Sequence, residues 1–308
     1  MIRGKQGWII GVIGAMFILL VLSCASFAAD EDSVNAVPYL REGAGARSMA
    51  MGGASTAVAN DATATVWNVA GLSRVQNTSV ASMYSARDQL DRKHNFIAFA
   101  QAIKDIGTFG LAWMNAGVSG IERWTDQNKL EGTFDSSDNA FFLSYGAMFQ
   151  PVRLGGGIKV LSQKIDPQLE ETDMGFGGLD IGVQADPIES VTVGLAIQNI
   201  FGKIADAKVP VQLRFGTALR LLPEDNLLLA VDLEKAFVDL EGRTGILHMG
   251  AEYWAAELVG FRLGVTSEKE FSAGLGINIS DVSMDYAYSI KRNGLEPDTH
   301  YVSISASF

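Results

Sequence analysis

From Gln76 onward the chain alternates apolar with small or polar residues, run after run. In residues 191–197 the odd positions are Val191, Val193, Leu195 and Ile197, and the even ones Thr192, Gly194 and Ala196. The same split recurs in 227–234, 247–253, 259–266, 271–278 and 282–289. A period of two marks a strand whose two faces meet different surroundings. It suits a soluble sandwich with its apolar face inward as well as a membrane barrel with that face outward.

The count and the connections favour the barrel. Fourteen segments alternate in this way, near 77–85, 93–103, 106–117, 139–149, 152–165, 174–186, 190–201, 210–222, 225–236, 244–254, 258–267, 270–279, 281–290 and 299–308. The 233 residues from Gln76 to Phe308 give about 17 per strand and connection, enough for a membrane-crossing strand of roughly ten residues and its turn. Tight turns fall near Lys104-Asp105, Pro151, Pro187, Pro223-Glu224, 255–257 and Ser280. The intervening connections at 86–92, 119–138, 166–173, 202–209, 238–243 and 291–298 are longer and more polar, and only Glu268-Lys269 is shorter than its side predicts. Short turns on one side and long loops on the other are the habit of outer-membrane barrels, with the short side periplasmic. Phe308, after Val302, Ile304 and Ala306, resembles the C-terminal signature of proteins handed to the barrel-insertion machinery. The expectation is an all-β chain, a 14-stranded antiparallel transmembrane β-barrel with its apolar face on lipid and no exposed edge.

One stretch does not read as strand. Of the thirty residues 43–72, nineteen are Gly, Ala, Ser or Thr, and Arg47 is the one full charge before Asn60. So little bulk cannot bury a core of its own, and so little charge does not suit a solvated linker. The stretch reads as a plug inside the barrel. Gly52-Gly53 marks a bend, and Asp61 reads as the N-cap of a short helical turn over 62–67.

The run Gly45-Ala46-Arg47-Ser48-Met49-Ala50-Met51-Gly52-Gly53-Ala54, followed by Asn60-Asp61-Ala62-Thr63-Ala64-Thr65-Val66-Trp67-Asn68-Val69-Ala70-Gly71-Leu72, resembles the N-terminal hatch of outer-membrane barrels related to the FadL long-chain fatty acid transporters. It is most similar to the PorV/PorQ-like branch, with Val69 where that pattern has Pro. The resemblance implies an N-terminal hatch over 29–75 and a barrel over 76–308. It also implies Arg47, Met49, Met51, Asp61, Trp67, Asn68 and Leu72 as hatch or ligand candidates.

Residues 1–28 read as a signal peptide: Arg3 and Lys5, an apolar run over 8–22, and Ser26-Phe27-Ala28 before Ala29. An uncleaved anchor and lipidation at Cys24 are the rival readings. Cleavage leaves 22 basic against 35 acidic residues, a net charge of −13, and no cysteine. That balance excludes nucleic acid as a partner, and stability must come from burial and closure. The location expected is the outer membrane of a Gram-negative-type bacterium, both termini periplasmic.

By phase, Lys159, Asp180, Gln184, Gln212, Arg214, Arg220, Asp232, Glu234, His248, Glu252, Arg262 and Asp285 point inward. They read as a paired-charge network that fills the lumen and holds the plug, or else as a polar path. Arg47 is the natural partner for Asp232 or Glu252. His94, His248 and His300 lack metal-ligand spacing, and neither a nucleophile elbow nor a phosphate loop is present. Ser272 or Ser283 with His248 is the one nucleophile–base pairing on offer, so no enzyme, cofactor or metal is expected. Gly155-Gly156-Gly157 reads as relief where another chain segment approaches. The acidic cluster Glu170, Glu171 and Asp173 reads as a solvated loop, and Trp113, Trp254, Tyr253, Tyr286, Tyr288 and Phe201 as interfacial girdles.

Two functions follow from the resemblance. A fatty-acid-transporter-like barrel would pass hydrophobic small molecules along a side opening when the hatch shifts, with an apolar pocket near Met49, Met51, Trp67 and Leu72. A PorV-like barrel would bind secreted proteins through its outer loops, with Ile121, Trp124, Leu130 and Phe134 as an exposed patch.

Overall fold

The computed structural model describes residues 37–87, 92–164, 172–221, 226–237, 245–292 and 298–308. The expected leader, Cys24 and the Glu170-Glu171 pair lie outside them. The strands are β1 (Thr78–Arg87), β2 (Arg92–Ile103), β3 (Gly107–Trp124), β4 (Leu130–Phe149), β5 (Val152–Lys164), β6 (Asp173–Ile188), β7 (Val191–Ile200), β8 (Lys203–Ile204), β9 (Ala207–Lys208), β10 (Gln212–Leu221), β11 (Leu227–Ala236), β12 (Ile246–Ala255), β13 (Val259–Thr266), β14 (Glu270–Ile279), β15 (Val282–Lys291) and β16 (Thr299–Ser307). Each long strand pairs antiparallel with its chain neighbours, and β1 pairs with β16. Thr78 and Phe308 exchange backbone hydrogen bonds of 3.3 and 2.9 Å across that seam. The result is a closed barrel of fourteen strands, with β8 and β9 as a small hairpin leaning on β6. Closure leaves no backbone edge to meet lipid.

The alternation sorts cleanly. On β2, Phe96, Ala98 and Ala100 are buried while Ile97 and Phe99 are exposed, and Phe141 and Leu263 on other strands are 52 % and 66 % exposed. So continuous an apolar exterior belongs against hydrocarbon. On β2–β4 its margin is a ladder of outward-facing amides: Asn95 Nδ2 donates to Asn115 Oδ1 at 3.2 Å, and Asn115 Nδ2 to Asn139 Oδ1 at 3.1 Å. Trp113, just inside the ladder, donates its indole N–H to Asn139 Oδ1 at 3.1 Å, as an interfacial Trp does with one end dry and the other wet.

Three expectations need correction. The long loop over 119–138 is mostly strand: β3 and β4 run on past the amide ladder, pairing Ile121 with Phe134 and Glu122 with Thr133. A register shift between Val118 and Ile121, with Gly120 at φ 71, breaks the sequence alternation there and hid the continuation. The loop over 202–209 contains the β8–β9 hairpin. Trp254 faces inward rather than into a girdle, its ring 5.2 Å from the Arg262 guanidinium carbon.

The lumen is divided. Toward β1–β4 its middle is apolar, with Met83, Phe96, Met114, Ala140 and Phe142, and Leu161 of β5, buried around Tyr39, Trp67 and Leu72 of the N-terminal segment; His94 of β2 and Arg153 and Lys159 of β5 are buried at its border. Toward β6–β15 it carries buried charge, including Asp180, Arg214, Asp232, Glu234, Glu252, Arg262 and Asp285.

Because Val231 stands near the middle of β11 on the outward face, Val231→Arg is expected to cost about 2–4 kcal/mol in denaturant-driven unfolding from phospholipid vesicles. A cost near zero would mean that this face does not lie against lipid.

Candidate functional site

Residues 37–75 pack against inward-facing residues of strands all around the wall. They form a 3-10 turn (Pro38–Arg41), α1 (Ala46–Ala50), α2 (Ala64–Trp67) and a second 3-10 turn (Val69–Arg74). None of these elements exceeds six residues, too short to hold itself together. The barrel supplies what they lack.

Backbone contact comes first. Gly146, Gly155, Gly182, Gly216, Gly250 and Gly264 face inward on six different strands, and Gly146–Gly155–Gly182 and Gly250–Gly264 are direct cross-strand partners. A Cβ on Gly264 would stand 2.1 Å from Gly52 N, and one on Gly155 2.4 Å from Val69 C. At these six positions the wall is reduced to backbone where the segment crosses it. This explains Gly155, while Gly157 makes room for Ser144.

The segment's own polar groups are then met by the wall. Ala46 N–H donates to Ser303 Oγ at 3.1 Å, and Thr56 N–H to Asp232 Oδ2 at 2.8 Å. Ser272 Oγ accepts from Gly52 N–H at 3.1 Å and donates to Ala50 O at 3.0 Å, while His248 Nδ1 lies 2.7 Å from Gly52 O. Ser272 and His248 are thus both engaged by the segment's backbone. Asn68 donates to Thr56 O and Val183 O at 2.8 and 3.1 Å and accepts from Ala70 N–H. Gln184 and Gln198 donate to Thr56 O and Val66 O.

Two charged clusters complete the seat. Arg47 grips Glu252 with two hydrogen bonds, 2.7 and 2.6 Å, and the same carboxylate accepts from Arg262 Nε at 2.6 Å; Arg262 reaches Asp285 at 2.7 Å. Two guanidinia and two carboxylates balance in this chain. Burial opposes charge on Arg47, but Glu252 outweighs it and the net pKa shift is upward. In the second cluster Arg214 pairs with Glu234 and lies 4.9 Å from the Trp67 ring, and donates to Gly53 O at 3.3 Å. Gln212, Arg41 and His248 also converge on Glu234, at 3.1, 3.6 and 3.3 Å.

Asp232, though near, takes the Thr56 amide and not Arg47. Asp180 does not meet the segment: with Lys159, 2.9 Å away, and Asn199 it holds the bulged β6–β7 seam. α2 itself starts after Thr63, and Asp61 caps the turn that leads into it, its Oδ1 accepting from Thr63 N–H at 2.8 Å and its carbonyl from Ala64 N–H at 3.0 Å. The expected apolar pocket is filled: Met51, Trp67 and Leu72 are buried, and Trp67 donates its N–H to Ala44 O at 2.7 Å. A cavity of about 610 Å³ lies instead at the short-turn end. It is lined by polar residues such as Asn60, Arg74, Asp281 and Asp285, by the hatch candidates Arg47 and Asp61, and by Met51 as the one residue of the expected apolar pocket.

Sequence reading passed over two ion-pair sets. Arg74 and Arg153 share Asp186, and strand phase with Gly155 and Lys159 would have placed Arg153 inward. Glu42 meets Arg87, Arg92 and His94 at 3.4, 3.1 and 3.3 Å, tying the start of the segment to β1 and β2. Burial alone would raise the Glu42 pKa; the His94 hydrogen bond and the charges of Arg87, His94 and Arg92 outweigh it, and the shift is downward.

No protein-family model matches the sequence, and no curated protein matches it. Solved structures share the fold. The toluene transporter TbuX of Ralstonia pickettii is 15% identical, with a TM-score of 0.63 over 87% of this chain and 99% of that one. The P. putida toluene transporter TodX is 13% identical, with a TM-score of 0.61 over the same shares. A FadL homologue of Pseudomonas aeruginosa, 13% identical, gives 0.53 over 85% and 96%. The architecture is thus that of a FadL-like barrel.

Glu252→Gln, which strands Arg47 and leaves Arg262 with Asp285 alone, is expected to cost about 3–5 kcal/mol in unfolding and to open the Arg47–Ser48 bond to trypsin. Arg47→Gln should cost less, since Arg262 still holds Glu252; equal behaviour of Glu252→Gln and wild type would contradict the pairing. For Glu42, a depressed folded pKa means its contribution is complete above the unfolded value of 4.5 and is lost as pH falls through the folded one. The melting-temperature gap between wild type and Glu42→Gln should therefore be open at about pH 5 and narrow as the pH falls below 4.5. A gap that persists in stronger acid would contradict it.

Proposed function

We propose that this barrel carries hydrophobic small molecules across the outer membrane, with residues 29–75 acting as a hatch that must shift to let them pass. The observation that carries the reading is the divided lumen. An apolar half around Phe96, Met114, Phe142 and Leu161 offers a surface a hydrocarbon can wet. The opposite half holds the hatch by ion pairs and hydrogen bonds that can be exchanged without unfolding the wall. The fold shared with toluene transporters supports the substrate class of compact hydrocarbons. A lateral route is supported at the β6–β7 seam, where pairing jumps from Leu179–Ile200 to Ile181–Ile197 and Asn199 adopts φ 64. The end carrying the short turns and Phe308 is taken as periplasmic, as the loop asymmetry favours.

A second reading, the PorV-like one of partner binding, has one observation in its favour. The β3–β4 hairpin stands beyond the membrane band with Trp124 and Leu130 exposed at its tip.

The test is uptake of radiolabelled toluene by vesicles containing a variant with cysteines at Ala46 and Ser303, neighbours across the hatch–wall contact. Uptake is expected in wild type and in the reduced variant, and its loss on oxidation. Uptake no faster than through empty vesicles, or unchanged by oxidation, would overturn the reading. Shortening the β3–β4 hairpin should leave uptake intact; loss of surface-attached protein from such cells would speak for the second reading.

A further inference from the structure

The outward face of β12–β15 is dented. Ala251 and Ala273 flank Leu263 in register, short side chains among long ones, and leave an apolar groove of about 610 Å³ also bordered by Met249, Val265, Phe271 and Ile290. The volume lies within the range of small-molecule sites. Behind it the wall is backbone only, because Gly250 and Gly264 face Met51 and Gly52 of the N-terminal segment, so the floor is fixed from inside.

The mouth of the groove is cationic. Phe271 pairs with Ile290, and two residues beyond them Arg292 N–H donates to Lys269 O at 3.1 Å. Both side chains are exposed, and the Arg292 guanidinium carbon stands 5.8 Å from the Phe271 ring, over the end of the groove. Three carboxylates stand nearby, each with a partner: Glu268 pairs with Lys291 at 3.0 Å, Glu270 accepts from Ser289 at 2.8 Å, and Asp298 accepts from the hydroxyl of Tyr288 on the groove's border. On a chain with a net charge of −11, two cations above an apolar groove at the edge of the hydrocarbon band match one kind of occupant.

We propose that this groove is a binding site for an anionic, phosphate-bearing lipid, with an acyl chain along Ala251 and Ala273 and the phosphate between Lys269 and Arg292. Dispersion contact along the dent holds the acyl chain against exchange with bulk lipid, and the cations select headgroup charge and fix the lipid's depth.

The full-length barrel in vesicles, with spin-labelled phosphatidylglycerol and phosphatidylcholine as probes, tests this by electron paramagnetic resonance. Wild type should immobilise phosphatidylglycerol in preference to phosphatidylcholine. The K269E/R292E variant should weaken that preference about tenfold, and Ala251→Phe, with charges intact, should remove the immobilised fraction. Heat-modifiable migration on gels checks that each variant is a folded barrel. Equal immobilisation of both probes by wild type overturns the proposal, as does a preference that survives either variant. Disulfide dimers through Ala273→Cys at the yield expected of a stable pair, with no lipid preference, would give the groove to a second copy and overturn it too.

Discussion

Fourteen strands enclose more space than their own side chains can fill, and the rest of this structure answers to that constraint. The answer is a second layer of chain within the wall. Residues 43–72 are mostly small, and the wall is smallest where they cross it, so backbone meets backbone at the inward glycines. The close fit comes from removing side chains on both sides rather than from interlocking large ones. The largest buried side chains of this stretch are Trp67, Met51 and Leu72, with Met49 partly buried beside them.

Such contact leaves backbone donors and acceptors facing one another without a regular ladder, and each must find a partner. Hydroxyls, amides and carboxylates of the wall provide them: Ser303, Ser272, Asp232, Gln184 and Gln198 each take a specific group of the segment, and Asn68 of the segment reaches Val183 O in return. The ion pairs have another role. A buried pair such as Arg47–Glu252 adds little net stability against an apolar substitute, but its geometry admits one placement of α1 against β12 and β13. Orientation comes from the charged half of the lumen, and the apolar half gives the segment a dry surface to rest on.

How much of this was legible in the sequence depends on how local the signal was. The alternation gave the strands and their faces, and the fourteen-strand barrel is borne out, because each residue's side of the wall follows from its parity. Parity also put Asp180, Arg214, Asp232, Glu234, His248, Glu252, Arg262 and Asp285 inward. It failed where a bulge reset it, beyond Gly120, and where a residue beside a turn was judged by type alone, as with Trp254. Pairing across the lumen was out of reach: one inward phase does not say which of Asp232 and Glu252 stands over Arg47, since that depends on where the segment bends. The glycines were visible one by one, but their alignment needs the strand register. Large apolar residues near the motif read as a pocket, and the small residues around them closed it.

Backbone amide hydrogen exchange along residues 46–72 in the full-length barrel tests the central claim most directly. If the segment is seated as described, its amides, those of Gly52 and Thr56 among them, exchange as slowly as those of β10–β13. Exchange at the rate of an unstructured chain, with the strands still protected, would show that the lumen is not filled in this way.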